Sequence, residues 1–373
     1  MDWYYENPSS INGIGDPHIL RAEGAYWCYA TSSGTGFKVW RSEDLVHWEA
    51  QKQPAYKMSR TGWANAKFWA PEVYAHGGRY YLFYSAKPMK DNTLRIGVAT
   101  SDAPQGPFTD MGTGIFFDPG YAVIDASFFV DDDGGMYLYY SKDCSENVID
   151  GTHQSHIYGI RLLDDLSGVS GDPVLLTRPD QAWELHSGPE WLWNEGPILR
   201  KHGGAYWLFY SANYFESKEY GVGAARADGP LGIFEKLDGN PLLTWAERDG
   251  EVLVSGPGHN SFLEVDGELF MVYHTHTNPF APSGDRQMAL DRAGFRADGT
   301  PFVNGPSLAP QLLPLSQLGL ANLAQTATLP EGAEVLVDGD CGIATPSKER
   351  SFTATTATPT ATAVGAFPRF FAP

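Results

Sequence analysis

One short phrase returns five times along this chain of 373 residues: a polar residue, an apolar run, then a Gly-led segment rich in Tyr and Trp. The copies are DPHILRAEGAYWCYATS from Asp16, APEVYAHGGRYYLFYSA from Ala70, DASFFVDDDGGMYLYYS from Asp125, EGPILRKHGGAYWLFYSA from Glu195 and HNSFLEVDGELFMVYHT from His259. The glycines that open the second halves (Gly24, Gly78, Gly135, Gly204, Gly267) are 54, 57, 69 and 63 residues apart. A period of that size, carried by strand-like segments, predicts radial repetition and not one continuous sheet. Each copy is followed by a further strand and turn, as in FKVWRSEDLVHWEA (37–50), RIGVATSDAPQGPFTD (95–110) and YGVGAARADGPLGIFEK (220–236). Three or four antiparallel strands per unit make one propeller blade. The predicted fold is therefore all-β, a five-bladed β-propeller over residues 1–318 with a short C-terminal extension at 319–373. The Thr- and Ala-rich texture of the extension predicts a partly disordered tail or the remnant of an appended module.

The phase of the repeat bears on function. The copies lead with Asp16, Ala70, Asp125, Glu195 and His259, so four of five leading residues are ionisable. In a propeller the innermost strand of each blade starts at the central channel, and equivalent residues face one mouth. Three carboxylates and an imidazole gathered there repel one another and lose water, which drives their pKa values apart. One carboxyl can then stay protonated as a general acid while another stays ionised as a base. Each residue alone has an ordinary reading: Asp16 before Pro17 shapes a turn, Asp125 caps a strand start, and Glu195 is a solvated loop acid. Their shared phase is what argues against it.

Composition narrows the partners. With 26 Lys and Arg against 45 Asp and Glu, the formal charge is −19. That charge repels phosphates and excludes nucleic acid as a partner, and favours a neutral substrate over a polyanion. No apolar run approaches the ~18 residues of a spanning helix, so no membrane partner is expected. Cys28, Cys144 and Cys341 form neither a metal spacing nor an even disulfide set, and reduced thiols are expected. MDWYYENPSS lacks a basic and an apolar leader region, which reads as a cytoplasmic chain, or as a secreted one if the N-terminus was trimmed.

GIGDPHIL, WAPEV, IDASFFVDDDG, WNEGPIL, SGPGHNSF and RQMALDR, in that order over about residues 8–305, resemble the motif set of glycoside hydrolase family 43. The resemblance implies a five-bladed propeller that hydrolyses glycosidic bonds with inversion. Matched residue by residue, it implies Asp16 as the general base that deprotonates water and Glu195 as the general acid. Asp125 would orient that acid and keep its pKa high. Arg286 would reach the bound sugar's hydroxyls, and Trp69 would form a wall for the first sugar, with Phe68 and Trp193 as further sugar contacts. His259 would be the axial histidine, facing through water a structural calcium ion in the central channel; the chemistry itself needs no cofactor.

The expected substrate is a neutral oligosaccharide or polysaccharide. The expected reaction is exo-acting release of terminal α-L-arabinofuranosyl or β-D-xylosyl units, with the insertions 144–156 and 178–194 walling the funnel. β-D-Galactofuranosidase and arabinanase activities are the alternatives within the family, and a non-catalytic carbohydrate-binding propeller is the alternative outside it. The run Asp131–Asp132–Asp133 reads as an ordinary solvated turn. His274 and His276 share a strand face but lack a metal spacing, and are left outside the site.

Overall fold

A computed structural model of the protein describes residues 4–88, 90–91 and 93–317, together with two short strands, Ala354–Thr355 and Thr362–Ala363, that pair with each other. The rest of the extension predicted over 319–373 lies outside the described residues, as does Cys341. Cys28 and Cys144 are free thiols.

Five antiparallel four-stranded units follow one another along the chain. Their innermost strands are Gly15–Ala22, Ala64–His76, Val123–Val130, Trp191–His202 and Gly258–Val265, for blades 1 to 5. Each pairs with an aromatic-rich second strand: Ala25–Thr31, Arg79–Pro88, Met136–Lys142, Ala205–Ala212 and Glu268–His276. The second strands explain the near-continuous apolar runs of the sequence. Each is buried on both faces, so alternate side chains enter different interfaces and the polar half of the usual alternation disappears. Tyr26 and Cys28 pack toward blade 5, whereas Trp27 and Tyr29 pack toward blade 2. Among the described residues one large hydrophobic cluster fills each blade interface, and the cluster that joins Ile19 and Tyr26 to Leu263 and Phe270 closes the ring between blades 1 and 5.

Every innermost strand carries a register shift, between Gly15 and His18, Trp69 and Glu72, Ile124 and Ser127, Glu195 and Ile198, and Gly258 and Ser261. At each shift one residue adopts positive φ: Asp16, Ala70, Asp125, Gly196 and His259, between 46° and 58°. The N–H of each bulged residue donates to a side chain at the end of the preceding blade's second strand, or beside it. Ala70 donates to Thr31 Oγ1 (2.8 Å), Asp125 to Ser85 Oγ (2.9 Å) and His259 to Ser211 Oγ (2.7 Å). Asp16 donates to His274 Nδ1 (3.2 Å), which closes this second ring from blade 5 to blade 1. For Gly196 the acceptor is Asp125 Oδ2 (3.1 Å), where the serine of the series, Ser141, stands 3.5 Å from the same oxygen.

This ring corrects the phase read from the sequence. Gly196, not Glu195, is the equivalent of Asp16, Asp125 and His259. Glu195 sits one residue earlier, in register with Gly15, Trp69, Ile124 and Gly258. A bulge turns two consecutive side chains toward the same side of a sheet. Both phases therefore reach the mouth of the ring, and acids from either can meet there.

Candidate active site

The mouth opens into a cavity of about 810 Å³ whose walls include Asp16, Asp125, Glu195, Trp69, Trp193, His259 and Arg286. Seven of the eight residues singled out from the sequence are thus brought together. Phe68 is the correction. It is 1% exposed and packs among Phe37, Tyr56 and Tyr84 in the core between blades 1 and 2.

Asp16 is the most heavily engaged of the three acids. Arg286 Nη1 donates to its Oδ1 at 3.0 Å, Thr31 Oγ1 donates to its Oδ2 at 2.5 Å, and His259 Nδ1 lies 3.5 Å from Oδ1. Burial alone would raise its pKa; Arg286, with the His259 ring and the Thr31 hydroxyl, together outweigh burial and hold the carboxyl well below its ordinary range. His274 also stands 3.5 Å from Oδ1, but burial and the facing Arg286 push its own pKa far down. The ring is therefore neutral near pH 7, and this contact is not an ion pair. Its Nδ1 accepts the Asp16 N–H, which assigns the proton to Nε2. Arg286 reaches Asp16 because residue 15 is glycine: a Cβ there would lie 2.2 Å from the guanidinium carbon. The face of Phe215, 4.9 Å from that carbon, supports the guanidinium from the other side.

Glu195 is held differently. Ser155 Oγ donates to its Oε1 at 2.6 Å, while that hydroxyl oxygen accepts the Cys144 N–H at 3.0 Å. Ser155 is thereby oriented, and Oε2 is left to carry the acid's proton. Burial, then the charges of Asp125 and Asp143, push the Glu195 pKa well above the usual range, against the Ser155 hydroxyl. Asp125 is raised as well, first by burial and then by Asp16, with His259 and the Gly196 N–H opposing. Asp143, Cys144 and Glu195 present ligand-type atoms within 4.8 Å of one another. Burial, followed by the neighbouring charges of Glu195 and Asp143, pushes the Cys144 thiol up to about 12, so it stands as a neutral wall group.

The sequence reading missed Thr31, Asp143, Ser155, His274 and Tyr220, which lines the cavity and stacks on the His274 ring with centroids 5.6 Å apart. Thr31 had a signal: it closes an aromatic run as Ser85, Ser141 and Ser211 close theirs, a small hydroxyl after Ala or Tyr in four of five repeats. His274 is the fifth member of that series, and its place in the site corrects its exclusion. His276 braces the cavity wall instead, with Nε2 2.8 Å from the Phe215 carbonyl oxygen and Nδ1 2.8 Å from Ser255 Oγ. Asp131 of the acidic turn ties blade 3 to blade 4 through Lys201 (2.5 Å) and the Tyr206 hydroxyl.

The sequence profile described as Glycosyl hydrolases family 43 matches residues 5–301. The chain belongs to that family. It is a glycosidase that hydrolyses O-glycosyl bonds, and its fold is the five-bladed β-propeller of family-43 structures. Among solved structures, a thermostable family-43 glycoside hydrolase is 46% identical with a TM-score of 0.78, covering 83% of this chain and 99% of that one. An endo-1,4-β-xylanase from Bacteroides thetaiotaomicron is 32% identical with a TM-score of 0.68, covering 79% and 95%. The β-D-galactofuranosidase xynD of Aspergillus niger is 28% identical over 79% of this chain and 83% of its own length. An extracellular exo-α-(1→5)-L-arabinofuranosidase of Streptomyces avermitilis is 26% identical over 78% and 61%. No helix among the described residues is long and apolar enough to cross a membrane.

Proposed function

We propose that this family-43 enzyme removes terminal sugars from neutral oligosaccharides or polysaccharides by single displacement with inversion, and that α-L-arabinofuranosyl units, or β-D-xylosyl units, are the sugars released. The reading is carried by the opposed states of two carboxyls in one cavity: Asp16 held ionised by Arg286 and Thr31, and Glu195 held protonated by burial and by Asp125. Water between Asp16 and the anomeric carbon gives a proton to Asp16 as its oxygen attacks. The bond to the leaving oxygen breaks, and Glu195 Oε2 supplies the proton that oxygen needs. The products are the released sugar with inverted anomeric configuration and the shortened chain. The proton gained by Asp16 and the one lost by Glu195 are then exchanged with solvent. Asp125 acts through Glu195: it accepts the N–H of Gly196, the next residue, and its charge keeps the acid protonated.

Trp69 and Arg286 line the Asp16 side of the cavity, where they would receive the terminal sugar. The preference for arabinofuranosyl or xylosyl units rests on relatives named as exo-α-(1→5)-L-arabinofuranosidases and as a putative β-xylosidase. The word extracellular in two of those names favours action outside the cell over the cytoplasmic reading of the N-terminus.

A structural calcium ion near His259 fits only as a hydrated ion. Calcium takes six to eight oxygens, and the Asp16 carboxylate beside His259 is already engaged by Arg286 and Thr31. The next residue, Asn260, is 1% exposed, and neither its Oδ1 nor its Nδ2 has a protein partner. His259 and Asn260 would hold such an ion through water. When bound it would supply positive charge beside the ring and no step of the hydrolysis.

The test is a panel of p-nitrophenyl glycosides and natural oligosaccharides against wild type and Glu195→Gln, with the first-formed anomer read by NMR. The expected result is inversion, with natural substrates losing at least about 10² of their rate in the variant, the lower range for a lost general acid. Unchanged turnover in Glu195→Gln, or a retained anomer, would overturn the assignment.

A further inference from the structure

The strand that delivers Glu195 also carries Trp191 and Trp193. Side chains of a strand alternate, so residues 191, 193 and 195 share one face, and all three line the cavity whereas Leu192 and Asn194 do not. Successive members of that row are about 6.7 Å apart along the strand. The two indoles lie 17° from parallel with centroids 6.2 Å apart. Trp191 is 38% exposed and Tyr214, tilted against Trp193 at 5.3 Å, is 39% exposed.

These rings are fixed in place. His153 covers one face of Trp191 at 3.9 Å and 10°, and its Nδ1 lies 2.8 Å from the Cys144 carbonyl oxygen. Residues 153–155 pair in parallel with 191–193, so the two insertions at 144–156 and 178–194 are stitched to each other and join blade 3 to blade 4. Large exposed rings that are pre-ordered in this way offer flat apolar faces at little entropic cost. The apolar C–H faces of sugar rings are complementary to them.

We propose that Trp193 and Trp191 form two consecutive leaving-side subsites, so that the enzyme selects oligosaccharides with at least two sugar units beyond the scissile bond. The inference rests on Glu195 as the proton donor. A general acid stands beside the leaving oxygen, so the row running outward from Glu195 along the same strand face follows the departing chain. The first leaving-side unit meets Trp193 and the second meets Trp191. Asp16, Arg286 and Trp69 hold the terminal sugar on the other side.

The experiment measures kcat/KM for wild type, Trp191→Ala and Trp191→Phe on α-1,5-arabino- and β-1,4-xylo-oligosaccharides of two to five units. Wild type should gain from the disaccharide to the trisaccharide, the first substrate to reach Trp191. Trp191→Ala should lose about tenfold on the trisaccharide, the order of one stacked ring, and much less on the disaccharide, while Trp191→Phe recovers most of the loss. Equal loss at every length, or a wild type indifferent to the third unit, would overturn the subsites. Failure of the underlying assignment looks different: Glu195→Gln would then still hydrolyse the same oligosaccharides, whatever Trp191 does.

Discussion

Replacing Asp125 with Asn removes a charge and keeps an acceptor. The Asn side-chain oxygen can still take the Gly196 N–H, now 3.1 Å from Asp125 Oδ2, so the strand that positions Glu195 should stay in place. What disappears is the negative charge that, after burial, contributes most to raising the Glu195 pKa. Two unit charges about 6 Å apart at an effective dielectric of about 20 repel by about 3 kcal/mol, which is roughly 2 pKa units. Burial and Asp143 remain, so Glu195 in the variant should still titrate above its ordinary range, but lower than in wild type.

The assay is kcat/KM against pH on an oligosaccharide, whose leaving oxygen needs protonation. Protonated Glu195 is the competent form, so the rate falls as pH rises through its pKa in the free enzyme. A lower pKa moves that descending limb to lower pH, by about 2 units for the charge removed. In wild type the limb belongs to the Asp125–Glu195 pair, because two strongly interacting acids titrate jointly; in Asp125→Asn it should sharpen into a single ionisation. A limb that does not move, with a rate reduced equally at every pH, would refute the electrostatic role. Asp125 would then matter only as the acceptor for Gly196.

Two further perturbations read other parts of the ring. Gly15→Ala would place a Cβ 2.2 Å from the Arg286 guanidinium carbon and displace it from Asp16. It should cost about 10² in kcat/KM, as small misplacements at a reacting centre do, and should move the acidic limb upward, because Asp16 loses the largest of the contacts that oppose its burial. An acidic limb that stays put would count against Arg286 as the group that keeps Asp16 ionised. Glu72, buried beside Tyr74 and Ser127, has its carboxyl raised by burial to about 8 from 4.5. The folded state therefore binds its proton more tightly, so stability falls as pH rises from about 4.5 to 8, and Glu72→Gln should flatten that fall. Thermal melts at pH 5 and pH 8 should show the variant gaining on wild type only at the higher pH; an equal gain at both would refute it.

The division between what the sequence displayed and what it hid follows from the bulge. Five aromatic runs at similar spacing announce five blades, because second strands buried on both faces cannot alternate and so repeat as dense apolar blocks. The phase within each blade was harder. Aligning the leading acids put Glu195 with Asp16, although Glu195 is nine residues from Gly204 while Asp16 is eight from Gly24. Gly196 is eight residues from Gly204 and is followed by Pro197, just as Asp16 is followed by Pro17 and Ala70 by Pro71. The count and the proline thus both marked Gly196 as the bulged residue. Its glycine fits that place, since φ is 57° and an added Cβ would meet the His259 ring at 3.2 Å. The contacts of Thr31, Ser155 and His274 were hidden for another reason. They join residues 15, 40 and 258 positions apart: the first meets across the blade 1 hairpin, the second across neighbouring blades 3 and 4, and the third only through ring closure from blade 5 to blade 1. With the bulge assigned, the different roles proposed for the acids acquire a structural cause. Asp16 and Asp125 occupy the strained phase, whose backbone N–H is held by the preceding blade. Glu195 occupies the extended phase, on a strand that continues outward through Trp193 and Trp191. The proton donor therefore sits at the inner end of an aromatic row, and the base sits where Arg286 can reach it through the gap left by Gly15.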